Sequence, residues 1–144
     1  MSEVTLIDAD TLSAIARGHP KISARAARYL EEHGRFSLSA VTVFERLRGY
    51  RSAIERGRPY ELHLRRFVAL AECSDVVPVD AVVADHAARI WANVGARRRG
   101  AVLDLLVVAS ASARGLAVAT RNAKDFEPLA KAAPAAITLV DWGR

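Results

Sequence analysis

Disulfide chemistry within the chain is ruled out, because its 144 residues include one cysteine, Cys73. No Cys/His cluster has zinc-ligand spacing either, so a reducing compartment is expected and a structural zinc site is not. Cys73 itself reads as a buried small residue at a helix end. Long hydrophobic runs are also missing. The longest uncharged stretches reach nine residues, as at 105–113, against roughly 20 needed to span a bilayer. The opening "MSEVTLIDAD" carries acids where a signal peptide would be apolar. Secretion and membrane spanning are therefore not expected, and a cytoplasmic protein is. There is no Gly-rich phosphate loop. His19, His33, His63 and His86 are too far apart for a metal or triad pattern, which leaves solvated or packing roles. Lysine is scarce: Lys21, Lys124 and Lys131 are the only three among 21 basic residues, so 18 are arginine. Arginine's planar fork suits phosphate. A formal net charge of +5 thus admits a nucleic-acid partner, and equally an ordinary basic surface.

What the chain does have is alternation. "VTLID" is a short apolar run ending at Asp8, followed by "TLSAIA" and "ISARAARYLEEHG" with apolar residues at helical spacing and Gly34 as a stop. "RFSLSA" predicts a second strand. The amphipathic helices "VTVFERLRGYRSAIERG" and "PYELHLRRFVALAEC" follow, with Gly and Pro at the joins. "DVVPV" predicts a third strand, and Asp80 is placed to cap a helix over "AVVADHAARIWANVGARRRG". An apolar helix begins near Asp104 and closes at Gly115. "LAVAT" predicts a fourth strand and "AITLV" a fifth. With no repeat, low-complexity segment or linker, one domain over residues 1–144 is expected. Short apolar strands alternating with helices predict an α/β sandwich around a mostly parallel sheet.

In such sheets ligands bind beyond the carboxyl ends of the strands. Asp8 and Asp10 follow the first strand, Glu45 lies early in the helix after the second, Asn122 and Asp125 follow the fourth, and Asp104 heads the apolar helix. Each has an ordinary reading. Asp8 can cap a helix, and Asp104 can be a first-turn acid favoured by the macrodipole. Glu45, on the rim of a stripe formed by Val41, Phe44 and Leu47, can pair with Arg48. Asn122 and Asp125 can be turn residues. Separate caps, however, need no common address. Carboxylates that do share a site repel one another until one takes up a proton or a cation. A hard divalent ion answers that demand, because it prefers oxygen ligands and couples them to a substrate phosphate.

"LIDADTLSAI", "LSAVTVFERLRG", "PVDAVVADHAARIWANVGA", "LDLLVVASASARGLAVATRNAKDF" and "LVDW" resemble, in order and spacing, the successive blocks of the PIN-domain ribonucleases, specifically the VapC toxins of bacterial toxin–antitoxin pairs. The resemblance runs nearly end to end. It implies a PIN-like three-layer α/β/α sandwich, cleavage of RNA with Mg2+ or Mn2+, a homodimer, and a small VapB-like antitoxin partner that occupies the active site. It also implies that Asp8 and Asp104 are direct metal ligands, that Glu45 completes the metal environment or orients water, and that Asn122 takes the fourth acidic position, with Asp125 as a substitute. The implied reaction is in-line attack by water that leaves 5′-phosphate and 3′-hydroxyl ends.

Two positions depart from the family pattern. Ala9 stands where a hydroxyl residue usually follows the first aspartate, with Thr11 the nearest replacement. Val102 stands where many members carry a further aspartate. A catalytically weak or inactive nucleic-acid-binding module of the same fold is the alternative that these departures keep open. A phospho-acceptor receiver domain would need a lysine at the end of a late strand, and none of the three lysines is so placed. In "GARRRGA", Arg97, Arg98 and Arg99 either hold an RNA backbone near the mouth of the site or form a solvated charge run. Trp91 and Trp142 read as core or interface residues.

Overall fold

The structure, a computed structural model, describes residues 2–95 and 101–144. Five parallel strands form its sheet: β1 (Thr5–Ile7), β2 (Ser37–Ser39), β3 (Asp75–Val77), β4 (Ala117–Ala119) and β5 (Leu139–Val140), in the order β3-β2-β1-β4-β5. The helices among the described residues are α1 (Ala9–Ala16), α2 (Pro20–His33), α3 (Ala40–Glu55), α4 (Glu61–Glu72), α5 (Ala81–Asn93), α6 (Val102–Arg114) and α7 (Ala123–Ala132). Parallel neighbours cannot be joined by a tight turn, so every strand-to-strand passage runs through a helix.

Alternation along the strands builds the layers. On β1, Leu6 enters one core with Val118 of β4 and the apolar faces of α5, α6 and α7. Ile7 points the other way and packs with Leu38, Ala119, Leu12 of α1, Ile22 and Tyr29 of α2, and Phe67 of α4. Consecutive residues serving opposite faces is the two-residue period of a strand covered on both sides. The result is the expected three-layer α/β/α sandwich, with all five strands parallel. Each fully buried Leu, Ile or Val contributes about 1.5–3 kcal/mol, and Leu6, Ile7, Ile22, Leu38, Ile90 and Val118 have no exposed surface at all.

Helix α6 is the central wall. Seven of its residues, from Leu105 to Ser112, are buried, and the small Ala109 and Ala111 let it lie close against its neighbours. Its hydroxyls are satisfied internally. Ser110 donates to the Leu106 carbonyl at 2.8 Å, while Ser112 meets His86 Nδ1 at 2.8 Å and accepts from the Ala135 amide at 3.2 Å. Caps fall where the sequence places them. Asp80 accepts from the Val83 amide at 2.9 Å, and Gly34 and Gly115 close α2 and α6 at φ 81° and 67°, which a side chain would strain.

Several expectations need correction. Helix α5 stops at Asn93, because Val94 is already extended at φ −93°, ψ 156°, rather than running on to residue 100. Phe44 is 52% exposed: the stripe of α3 is buried through Val41 on one side, with Val43 and Leu47 partly covered, and leaves Phe44 outward. Trp91 is exposed, which rules out the core half of its core-or-interface reading, whereas Trp142 is core as expected. Cys73 is exposed, since it is the residue that ends α4 rather than one on its covered face. His19 caps α2, its Nδ1 accepting from the Ile22 amide at 3.3 Å. Among the described residues, no helix is long and apolar enough to cross a membrane.

Candidate active site

The sheet order reverses at β1: the chain steps outward to β2 and β3, then returns to the other side of β1 as β4. Adjoining strands at such a point send their connections to opposite faces and leave a crevice beyond their carboxyl ends. Here that crevice measures about 60 Å3 and is lined by Asp8, Ala9, Asp10, Glu45, Asp104, Val107, Asn122 and Phe126. Its size suits a small ion and a few waters rather than a nucleotide.

Asp8 follows β1 directly and is buried. Its Oδ1 accepts from the Thr11 amide at 2.8 Å, which makes it the N-cap of α1, and its own amide donates to the Ala119 carbonyl at 3.0 Å. Burial pushes its carboxyl above the ordinary range. Hydrogen bonds from the Thr120 and Thr11 side chains and from the Thr11 backbone oppose the shift, and the charge of Asp10 adds to it. The capping and site readings of Asp8 therefore describe one side chain in one position.

Glu45 sits in the second turn of α3 and is half-buried. Burial raises its pKa first, then the charge of Asp104, with smaller contributions from Asp8 and Asp10; Arg48 pulls the other way. The expected ion pair with Arg48 does not form. The Arg48 guanidinium lies 5.3 Å above the Phe44 ring instead. Asp104, third residue of α6, is also raised, by burial first and then by Asp8, Asp125 and Asp10. Burial leads the upward shift of all three carboxylates, and Glu45 and Asp104 are raised further by acids of the same crevice, the electrostatic pattern of a shared site.

Asn122 lines the crevice, whereas Asp125 is exposed and stands outside it. The two are linked: Asn122 Nδ2 donates to Asp125 Oδ2 at 2.7 Å. Asp125 thus reaches the crevice through its field on Asp104 rather than as part of the lining. Thr11 is fully buried and its hydroxyl faces acceptors within the protein, the Asp8 carboxylate and the Ala119 carbonyl 3.4 Å away, so it does not supply a hydroxyl toward a ligand. Arg97, Arg98 and Arg99 lie outside the described residues.

One contributor escaped the sequence reading, and another was named there without a role. Thr120, buried at the end of β4, hydrogen-bonds the Asp8 carboxylate while its Oγ1 accepts from the Asn122 amide at 2.9 Å, tying the two corners together. The available signal was the pairing of Ile7 with Ala119, which sets residues 8 and 120 side by side once "VTLI" and "LAVAT" are taken as adjacent parallel strands. Asp10, seen only as a second acid after β1, lines the crevice as well.

The donor chemistry is all oxygen and largely carboxylate, which fits a hard divalent cation. Among the described residues, no three His, Cys, Asp or Glu side chains are already drawn together as a ligand shell, so an ion would have to gather these arms by rotamer changes.

Solved structures share the architecture. A chain of DNA-bound VapBC from Salmonella typhimurium is 24% identical over 98% of this chain and 99% of its own, with a TM-score of 0.69. One from VapBC-1 of nontypeable Haemophilus influenzae is 21% identical over 97% and 98%, with a TM-score of 0.72. One from a toxin–antitoxin complex of Klebsiella pneumoniae is 20% identical over 85% and 89%, with a TM-score of 0.62. No curated protein matches the chain. At these identities the structures establish the fold. The family rests on the sequence itself: residues 5–132 match the model of the PIN domain, and the chain belongs to the PIN domain family.

Proposed function

We propose that this chain is the toxin of a type II toxin–antitoxin pair, a VapC-like ribonuclease that hydrolyses RNA phosphodiester bonds with Mg2+, or with Mn2+ in its place. The observation that carries the proposal is the common crevice of Asp8, Glu45 and Asp104 at the carboxyl end of β1, with each acid held above its ordinary pKa. Family membership supports a nuclease. The likeness to chains of VapBC and of a toxin–antitoxin complex supports a small VapB-like antitoxin as partner. One PIN domain over residues 1–144, a homodimer and a cytoplasmic setting complete the reading.

Asp8, Glu45 and Asp104 would hold the ion. When bound, such an ion activates water and neutralises charge that builds on the scissile phosphate. The protein's own work is placement. Asp8 is fixed by its cap and by Thr120, and Asp104 is carried on a helix packed on nearly every side. Glu45, which lines the same crevice from the second turn of α3, completes the ion's environment or orients the attacking water. Attack in line with the ribose 3′ oxygen leaves a 5′-phosphate and a 3′-hydroxyl, and no side chain becomes covalently attached.

The test is cleavage of total RNA with Mg2+ and with EDTA, beside purified Asp104→Asn. Cleavage that needs the ion and vanishes in the variant is expected; a fully active Asp104→Asn protein overturns the assignment. A second reading, a catalytically silent nucleic-acid-binding module, is favoured by the spread of the carboxylates and by Ala9 and Val102 in place of polar residues. Calorimetry that detects no Mg2+ binding at millimolar ion would select it.

A further inference from the structure

A second cavity, of about 520 Å3, lies at the other end of β1 from the acidic crevice, and the two share no lining residue. Thr5 lines the cavity and Asp8 the crevice, so they stand about 10 Å apart along the strand direction. The floor is apolar and fixed. Ala117 opens β4 with a side chain of one methyl, which leaves the depth, and Tyr29 and Trp142 are buried beside it with ring centres 5.5 Å apart. The Tyr29 hydroxyl accepts from the Thr5 amide at 3.1 Å, which pins α2 to the strand at the cavity's inner wall. Val140 of the edge strand β5 forms the far side.

Helix α2 forms one wall, and its charges are ordered along it. Arg25 and Arg28 line the cavity one turn apart, and among the described residues neither guanidinium has an ion-pair or hydrogen-bond partner. Glu32 follows a turn later, about 6 Å further along the axis. Its Oε2 takes both bonds from Ser2, which leaves Oε1 as an acceptor. Two guanidinium groups without acids call for an anion, and their planar forks match the dianion of a phosphomonoester. Phosphate alone would leave most of the space empty, because cavities of about 300 to 1,000 Å3 suit whole organic molecules. A carboxylate one turn beyond the arginines suits hydroxyl donors, as an acid suits the diol of a ribose. The apolar floor suits a flat ring.

We propose that this cavity binds a ribonucleoside 5′-monophosphate, with its phosphate on Arg25 and Arg28 and its ribose hydroxyls on Glu32. The site is separate from the acidic crevice, and the proposal stands apart from the nuclease reading. Binding of adenosine 5′-monophosphate is measured by calorimetry in EDTA, so that no metal ion can hold the nucleotide in the crevice, on the full chain and on Arg25→Gln/Arg28→Gln. Glutamine keeps the helix propensity of that face. One nucleotide per chain is expected, with affinity lower by about tenfold or more in the double variant, because hydrogen bonds between charged groups are the strong ones. Adenosine and inorganic phosphate each bind the unaltered chain at least about tenfold more weakly than the nucleotide, and the 2′,3′-dideoxy nucleotide about three- to tenfold more weakly. Saturating nucleotide raises the melting temperature of the unaltered chain and not that of the double variant. RNA cleavage is the same in both.

No saturable binding at millimolar nucleotide, or equal affinity in the double variant, overturns the proposal. Inorganic phosphate that binds as tightly as the nucleotide reduces the cavity to an anion site and overturns the nucleotide claim. Full affinity for the dideoxy nucleotide overturns the part given to Glu32. Affinity lost in Asp104→Asn but kept in the double variant puts the nucleotide in the crevice and overturns the assignment to this cavity. The ligand series on the unaltered chain decides the nucleotide claim even if the double variant melts early.

Discussion

Two sets of acids in this protein are treated oppositely by the fold. Away from the crevice, Glu32 accepts from both the Ser2 hydroxyl, at 2.7 Å, and the Ser2 amide, at 2.9 Å, and its pKa is lowered first by that hydroxyl. Asp80 caps α5 and pairs with Arg114, and its pKa is lowered first by the Val83 amide. At the carboxyl end of β1, Asp8, Glu45 and Asp104 are raised, burial leading in each case. A carboxylate that serves structure is supplied with donors. The three that line one crevice are raised by their burial, Asp8 in spite of the donors it receives, the pattern that marks a candidate functional site.

The largest break in this contrast comes from removing a charge at the crevice. Asp8→Asn keeps an N-cap, since Asn caps as well as Asp, yet cleavage of RNA is expected to fall by about 10²- to 10³-fold or more. Stability should move the other way. The raised carboxyls hold more protons in the folded state than in the unfolded chain between about pH 4 and their raised values, so in ion-free protein they cost stability as pH climbs through that window. Asp8→Asn and wild type should therefore melt together at low pH and diverge as pH rises, the variant ending about 2 to 4 °C higher after allowance for solvent screening of the half-buried partners. Millimolar Mg2+ should raise only the wild type. A thermal melt series in EDTA and in Mg2+ reads both effects, and parallel curves at every pH would erase the contrast.

A smaller effect is expected from the other group. Asp80→Ala removes a cap and an ion-pair partner, so Tm falls by about 2 to 4 °C while RNA cleavage is retained. Its lowered pKa has the opposite sign: the stability it contributes is present above the unfolded value and is lost as pH falls through the folded one. The smallest change is Glu32→Gln, exposed and half-replaced by its own amide oxygen, which should shift Tm by about a degree or less and leave cleavage alone.

Local pattern revealed much of this architecture because most elements are built locally. The strand and helix alternation and the caps at Asp80 and Gly115 follow from residues within a turn or two of one another, whereas the candidate acids Asp8, Glu45 and Asp104, each an ordinary cap or surface residue by its local pattern, stand out only through their shared place at the strand ends and the family resemblance. What it missed depends on partners far along the chain. Thr120 matters because β4 lies beside β1, over a hundred residues earlier. Asp125 fell outside the crevice because Asn122 occupies the lining, one turn ahead of it. Phe44 fits the helical stripe, but α3 packs against α4, α1 and α6, and Phe44 lies on the face they leave exposed. Whether a helical face is covered depends on neighbours that its own spacing does not encode.

Asp8 lies under two independent demands, and together they define what the position tolerates. The start of α1 requires a short side chain with an acceptor oxygen, which admits Asp, Asn, Ser and Thr. A charged corner of the crevice admits Asp and Glu, and Glu is a methylene too long to serve as the cap. The two lists share one member. An alanine there deletes a helix start along with a charge, so a dead alanine variant confounds misfolding with lost chemistry, while asparagine separates them.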